Sequence, residues 1–216
     1  MGEHVEKLGE LELDRVYCGK CLLHLESMPA GSVDAVIGEC PIMLVEYFED
    51  AYRVLNDSGV FIFRAEPTEK WIGIWTERFE SVGINVEYQI VTKNMGDKDG
   101  NDLMLVGGKK PLGLEGIPDR IDPGPSRPQF DIIPSAERDV KTYKELIELF
   151  TPKNGIVIDL CAGSSASGEA AILAGRRWIG FDIVDRLVAI GNERLEKASN
   201  GESWYGDDNK QDALIN

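Results

Sequence analysis

Basic residues are scarce in this chain of 216 residues, with 23 Lys and Arg against 38 Asp and Glu and a formal net charge of −15. Such a surplus of acid argues against a broad, nonspecific grip on DNA or on an anionic membrane. The surplus is concentrated early, because residues 1–50 hold 11 acids and three bases, whereas residues 109–141 hold six of each. Any contact with a nucleic acid is therefore expected in the later half.

Cysteine and histidine are also rare, at four and two residues. Cys18 and Cys21 form a Cys-x-x-Cys pair, but Cys40 and Cys161 stand alone and the histidines lie elsewhere, so a metal site is not expected. Neither histidine stands beside a candidate nucleophile, which disfavours a hydrolase. The sequence shows no signal peptide and no apolar run of about 18 residues, and we expect a soluble, cytoplasmic protein with no membrane partner.

The segment 155–185 reads as a strand, a turn of small residues, a helix and a second strand. The apolar run 156–158 predicts a strand buried on both faces, with Asp159 at its carboxyl end. The turn CAGSSASG lets the backbone approach a ligand closely and leaves the first N–H groups of the helix available. The second strand, 178–181, delivers Asp182, which is placed to accept the two hydroxyls of a ribose. The pattern predicts a nucleoside cofactor site.

The turn also discriminates among cofactors. It contains neither the G-x-G-x-x-G of dinucleotide sites nor the Lys-Ser/Thr that ends a phosphate-binding loop. Carboxylates flank it at Asp159 and Glu169, and no basic residue is available there for a triphosphate. An uncharged or cationic nucleoside fits better, which favours S-adenosylmethionine. An ordinary strand, turn and helix without a ligand is the alternative.

Three segments carry a family resemblance. DLCAGSSASGEAAILAGRRWIGFDI resembles the cofactor motif D-P-x-x-G-S-G-T-T-x-x-A-A-x-x-x-G-R-x-x-I-G-x-E of DNA amino-methyltransferases, which methylate adenine N6 or cytosine N4. YCGKCLLHLESMPAGSVDAVIGECPI is similar to their Y-x-G-D-C…L-P-x-x-S-V-D-L-x-x-x-D-P-P-Y, and AERDVKTYKELIELFTPKNGIVIDL to their S/A-E-K-P-x-x-L-Y-x-x-L-I…P-G-D-x-V-L-D-P. The resemblance spans residues 15–198, and the cofactor half comes last, which is the permuted order of the beta group.

This resemblance implies a doubly wound, mostly parallel Rossmann-like α/β sheet and a DNA methyltransferase that uses S-adenosylmethionine. The family's D-P-P-Y tetrad, which accepts the amine and stacks the extruded base, corresponds to Glu39, Cys40, Pro41 and Ile42. The implied cofactor residues are Asp159, Cys161, Gly163, Ser164, Ser165, Asp182 and Lys20.

Several positions depart from the family pattern. Glu39 is one methylene longer than Asp, Ile42 offers no π-face, and Lys20 replaces an acid near the cofactor's adenine. Ser165 replaces a glycine, and Leu160 a proline. A second hypothesis therefore stays open, in which the chain is a catalytically silent relative that acts as a partner subunit or binding module.

The expected organisation is an acidic lead-in over 1–13, a methyltransferase domain over 14–198 and a polar tail over 199–216. The glycine- and proline-rich segment 107–134 is expected to be irregular, and target reading on DNA falls to it or to a partner chain. Homo- or hetero-oligomers both remain open. The periodicities predict helices over 20–28, 43–55, 68–82, 140–151 and 185–198, a turn at 56–59, and strands over 15–18, 33–38, 60–63, 84–92 and 102–106.

Overall fold

The computed structural model describes residues 7–39, 47–93, 101–121, 140–202 and 204, and within them the chain forms ten strands and six helices. The strands are β1 (Lys7–Leu8), β2 (Leu11–Glu12), β3 (Arg15–Cys18), β4 (Val33–Gly38), β5 (Leu55–Ala65), β6 (Asn85–Lys93), β7 (Asn101–Gly108), β8 (Arg120–Ile121), β9 (Ile156–Asp159) and β10 (Arg177–Asp182). The helices are α1 (Cys21–Leu25), α2 (Phe48–Val54), α3 (Glu69–Ser81), α4 (Val140–Phe150), α5 (Ala166–Leu173) and α6 (Asp185–Ser199). None of these helices is long and apolar enough to cross a membrane.

Eight strands form one mixed sheet in the order β3-β10-β9-β4-β5-β7-β6-β8. Strands β3, β10, β9, β4 and β5 are parallel, β7 runs antiparallel to both β5 and β6, and β8 is parallel to β6. The predicted mostly parallel sheet is confirmed. The chain order reverses direction across the sheet between β9 and β4, and open α/β sheets bind ligands at such a switch point.

Helices cover both faces of the sheet, which buries its strands on two sides. On one face α1, α2 and α3 pack over a group of aromatic rings, where the Phe63 and Trp75 centroids lie 4.4 Å apart and those of Phe48 and Phe79 lie 5.1 Å apart. On the other face α4, α5 and α6 pack over a second apolar cluster that includes Trp178. Trp75 is a core residue, as its helical spacing predicts, because it is 5% exposed.

The outer edge of β3 is closed by a side chain from α6. The amide of Asn192 accepts a hydrogen bond from the N–H of Val16 over 3.0 Å and donates one to the carbonyl of Val16 over 3.1 Å. An open edge strand exposes unpaired backbone groups that can recruit another chain. Asn192 thus satisfies the backbone N–H and the backbone carbonyl of Val16 and fixes α6 beside β3.

Three local features differ from the sequence-based expectation. Residues 7–13 belong to the predicted acidic lead-in, but they contain the β1–β2 hairpin. The leucines at 8, 11 and 13 are buried in the core. The helix predicted over 20–28 spans only Cys21–Leu25. The helix predicted over 43–55 begins at Phe48 within the described residues, and positions 43–46 lie outside them.

The turn predicted at 56–59 lies inside β5 as an irregularity. Val33 pairs with Leu55 and Ala35 pairs with Val60, so one residue of β4 faces four of β5. Asn56 holds this excursion, because its Oδ1 accepts from the Ser58 N–H over 3.0 Å and its Nδ2 donates to Asp34 over 2.9 Å. The local turn chemistry was therefore predicted correctly, but not the strand that runs through it.

Thr68 caps α3, since its hydroxyl accepts from the Trp71 N–H over 3.4 Å. In the segment predicted to be irregular, β7 extends to Gly108 and β8 adds a short parallel pairing at residues 120–121. Residues 122–134 of that segment and most of the predicted tail lie outside the described ranges.

Candidate active site

The carboxyl ends of β4, β9 and β10 lie side by side. Ile37 pairs with Asp159, and Asp159 pairs with Gly180, so the acids that follow or end these strands share one edge of the sheet. The N–H of Leu160, the residue after β9, also donates to the carbonyl of Ile37 in β4 over 3.0 Å. The strand that precedes the tetrad, β4, therefore lies beside β9, which ends in Asp159.

Asp159 is a buried carboxyl held from two sides. The hydroxyl of Ser167 in the first turn of α5 donates to its Oδ2 over 2.5 Å, and the N–H of Cys161 donates to its Oδ1 over 3.0 Å. Burial raises the pKa of Asp159 to about 7 against the lowering effect of these two bonds, and the charges of Glu39 and Asp182 raise it further. A cation at this place would lower the pKa again, so the electrostatics of the site favour a cationic ligand.

Asp182 pins the small-residue turn. Its Oδ2 accepts from the N–H of Gly163 over 2.9 Å, and its Oδ1 accepts from the N–H of Val184 over 2.9 Å. Gly163 has φ +54°, a left-handed conformation that suits glycine. A carboxylate offers about four lone-pair positions, so Asp182 keeps acceptor capacity for hydroxyl groups of a ligand.

Ser165 stands where the family has a glycine, and it adopts the conformation that explains that glycine. Its φ of 64° and ψ of 37° lie in the left-handed region, which costs an L-residue roughly 1–2 kcal/mol. The side chain is fully buried beside α6, where a Cβ added to Gly191 would lie 2.3 Å from its hydroxyl oxygen. The departure is tolerated because Gly191 leaves room for the serine.

A buried ion pair between Arg194 and Glu169 supports the small-residue turn. Arg194 of α6 donates from Nε to Glu169 Oε2 over 2.5 Å and from Nη1 to the Ser164 carbonyl over 3.2 Å. The position of Glu169 beside the turn suggests that its charge faces a ligand. In the structure, Glu169 is instead paired with Arg194 in the core. Sequence reasoning missed Arg194, because nothing distinguishes it from the exposed charges of the same helix.

Lys20 lies at the N-terminus of α1 with an exposed side chain. Its segment reaches the end of β10, because the N–H of Gly19 donates to the Asp182 carbonyl over 2.9 Å. Nearby, His24 stacks on Phe181 with ring centroids 5.0 Å apart. The backbone next to Lys20 therefore contacts a predicted cofactor residue. Among the described residues, the structure shows no contact between the Lys20 side chain and those residues.

Glu39 follows β4 directly, and its Oε1 accepts a hydrogen bond from the Tyr143 hydroxyl of α4 over 2.7 Å. Arg64, near the end of the adjacent strand β5, donates from Nη2 to Asp102 over 2.7 Å. Sequence reasoning identified Glu39 but missed Tyr143 and Arg64. The tetrad residues Cys40, Pro41 and Ile42 lie outside the described residues.

The remaining predicted residues fall on the same turn. Cys161 is half-buried and provides the N–H that Asp159 accepts, and Ser164 is buried with its carbonyl on Arg194. Together, three strand ends place the acids Glu39, Asp159 and Asp182 at one edge of the sheet. Such an edge can hold a cationic nucleoside and present it to a hydrogen-bonding acceptor.

Comparisons with known proteins agree with this geometry. Residues 128–193 match the N6_N4_Mtase family model, described as DNA methylase. An Escherichia coli (strain K12) protein named "Putative methylase YubD" is 24% identical over 225 residues, which cover 89% of this chain and 98% of that protein.

Solved structures share the fold at low identity. The M1.HpyAVI–SAM complex matches with a TM-score of 0.67 and 18% identity, over 84% of this chain and 98% of that one. The cytosine-N4-specific PvuII DNA methyltransferase matches with a TM-score of 0.68 and 17% identity, over 87% and 93% of the two chains. The fold predicted from the sequence is confirmed, because the chain shares the mostly parallel, Rossmann-like fold of these DNA methyltransferases. Residues 128–193 match the model of the predicted family.

Proposed function

We propose that the chain methylates an exocyclic amino group of a DNA base, adenine N6 or cytosine N4, with S-adenosylmethionine as the methyl donor. The observation that carries the proposal is the meeting of Glu39, Asp159 and Asp182 at the adjoining ends of β4, β9 and β10. The family match at residues 128–193 and the likeness to a cofactor-bound neighbour support the same activity.

The described residues fit this cofactor. Asp182 would accept the ribose hydroxyls, and the backbone of Gly163 and Ser164 would line the nucleoside, because Asp182 already fixes the turn through the Gly163 N–H. Asp159, whose burial raises its pKa to about 7, gains most from a ligand that is cationic at sulfur and at its amino group. Bound S-adenosylmethionine would supply an electrophilic methyl group at this edge of the sheet.

Glu39 would act on the base. Its carboxylate accepts an N–H of the target amine, which turns the nitrogen lone pair toward the methyl group, and the Pro41 carbonyl is proposed as the second acceptor. Methyl transfer would form the new N–C bond as the sulfur–methyl bond of the donor breaks and the neutral thioether leaves, and the amine would give up one proton to the Glu39 carboxylate. Cys40 and Ile42 would line the pocket of the extruded base.

The contact with DNA is proposed through 107–134 or through a partner chain, because the formal charge of −15 opposes a broad grip on a polyanion. Residues 109–121 belong to the balanced part of the sequence, with the exposed cations Lys110 and Arg120. Hydrogen exchange with and without DNA tests this placement. Protection confined to the acidic residues 7–39 would contradict it.

A catalytically silent relative, acting as a partner subunit, is the second candidate. It is favoured by Ile42, which cannot stack a base, and by Lys20, whose cation stands near the predicted cofactor site. In that case no variant of Glu39 changes a reaction, because none occurs. The triple change Glu39→Asp, Cys40→Pro and Ile42→Tyr rebuilds the family tetrad and is expected to restore a trace of activity.

Transfer of a radioactive methyl group from S-adenosylmethionine to DNA or RNA of mixed sequence tests the proposal. Wild type should label DNA, Glu39→Ala should abolish labelling, and Glu39→Asp should impair it, since a misplacement of about 1 Å can cost about 100-fold. Glu49→Ala, which removes an exposed acid of α2, is the control and should retain full activity. Undiminished transfer by Glu39→Ala would reject Glu39 as the acceptor, and no transfer by wild type would favour the silent relative.

A further inference from the structure

Glu39 is linked to α4 by the hydrogen bond that the Tyr143 hydroxyl donates to its Oε1 over 2.7 Å. The two residues lie 104 positions apart, in different elements of the chain. We propose that Tyr143 is a positioning residue, which orients the Glu39 carboxylate to receive the target amine. This inference rests on the proposed function, because it assigns Tyr143 a role in that same reaction.

The need for such a residue follows from the length of the acid. A glutamate has one more rotatable bond than the aspartate of the family tetrad, so its carboxylate explores more positions unless a neighbour holds it. Tyr143 is suited to hold it, since its ring is buried in the core against the sheet and its backbone lies in an eleven-residue helix. The rigid ring therefore carries one hydroxyl to a fixed point beside β4.

Acceptor capacity remains after this bond forms. A carboxylate has two oxygens with about four lone-pair positions, and the Tyr143 hydroxyl uses one of them. The bond fixes the rotation of the carboxylate about its last torsion. An amine approaching from the cofactor side then meets an acceptor of defined direction, which is the condition for aligning its lone pair.

A cation on the next strand acts on the same group. Gly38 pairs with Phe63, so Arg64 lies one residue beyond the paired end of β4, and it is tied to the buried Asp102 over 2.7 Å. Burial would lower the pKa of Arg64, but the hydrogen bond to Asp102 and the negative charges of Glu39 and Asp102 outweigh it and raise that pKa. The guanidinium thus stays charged and attracts the Glu39 carboxylate toward the sheet.

Tyr143→Phe isolates the proposed role, because it removes the hydroxyl and keeps the ring. The turnover rate for methyl transfer should fall roughly 10- to 100-fold, while the affinity for S-adenosylmethionine by calorimetry stays within about twofold. Tyr52→Phe is the matched control: it removes a hydroxyl from α2 and keeps the ring, whose centroid lies 4.4 Å from the Lys109 Nζ. The control should keep the wild-type rate.

A second comparison distinguishes positioning from general packing. Glu39→Asp withdraws the carboxylate from Tyr143, so it should slow transfer strongly in the wild-type background and only slightly in the Tyr143→Phe background. Independent effects would multiply instead. Such non-additivity is not expected of a tyrosine that only fills space.

The outcomes separate the two proposals. If wild type methylates DNA and Tyr143→Phe matches Tyr52→Phe, the inference is overturned and the proposed function stands. If Tyr143→Phe loses cofactor affinity in parallel with rate, or if its effect multiplies with that of Glu39→Asp, the residue is structural and the inference again fails. A wild type that transfers no methyl group overturns both proposals.

Discussion

The ion pair beneath the cofactor turn predicts a large loss of stability when one partner is neutralised. Arg194 is fully buried and Glu169 is 1% exposed, with Nε and Oε2 2.5 Å apart. In Glu169→Gln the guanidinium would remain buried opposite a neutral amide. Breaking a buried pair on one side typically costs about 3–5 kcal/mol. Since whole domains are stable by only about 5–15 kcal/mol, this is a large share of the total.

Urea unfolding followed by circular dichroism measures the effect. The neighbouring residue offers a matched control, because Glu193 pairs with Lys197 over 3.2 Å with side chains 59% and 39% exposed. Glu193→Gln removes the same kind of charge from an exposed ion pair on α6 and should cost about 0.5 kcal/mol or less. The comparison thus separates burial from the simple loss of one ion pair.

A compensating double variant tests the physical reason. Glu169→Leu with Arg194→Met replaces the pair by apolar side chains, and such replacements are often neutral or stabilising. It should recover most of the stability that Glu169→Gln loses. It should not recover cofactor affinity, because Arg194 also holds the Ser164 carbonyl of the turn. A free energy of unfolding for Glu169→Gln within about 1 kcal/mol of the Glu193→Gln value would refute the reasoning.

Three further predictions concern the cofactor turn. Burial raises the pKa of Asp159 from 3.8 to about 7, so the folded state binds the proton of Asp159 more tightly than the unfolded state does. The free energy of unfolding should therefore fall as pH rises from about 4 to about 7, and the affinity for the cationic cofactor should rise across pH 7. Both trends should flatten in Asp159→Asn. Asp182→Ala should weaken calorimetric binding of S-adenosylmethionine by about 1–3 kcal/mol, and no loss would remove Asp182 from the site. Ser165→Gly should raise the free energy of unfolding by about 1 kcal/mol, because it relieves the left-handed φ of 64° and removes a hydroxyl with no hydrogen-bond partner among the described residues; a lower urea midpoint would contradict this.

The cofactor edge could be predicted because its signals are local. A buried strand that ends in Asp159, a turn of small residues and a strand that ends in Asp182 follow one another within about thirty residues, and each has its own pattern. The Thr68 cap is equally local, since it depends on one hydroxyl and the N–H three residues later.

The supporting contacts could not be predicted, because they join distant parts of the chain. Tyr143 matches a tyrosine of the family motif, but only the folded sheet places its hydroxyl on Glu39. Arg194 likewise meets Glu169 only when α5 and α6 pack together. The hairpin within 7–13 could not be predicted for another reason, because strands of two residues are too short to show a periodicity.

The central claim is that the ends of β4, β9 and β10 form one site that presents a methyl donor to Glu39. A crystal structure of the chain with S-adenosylmethionine tests it most directly. The account predicts ribose hydroxyls within hydrogen-bond distance of Asp182, the cationic end beside Asp159, and the methyl group facing the Glu39 carboxylate. A cofactor bound elsewhere, or bound with its methyl group turned away from Glu39, would contradict it.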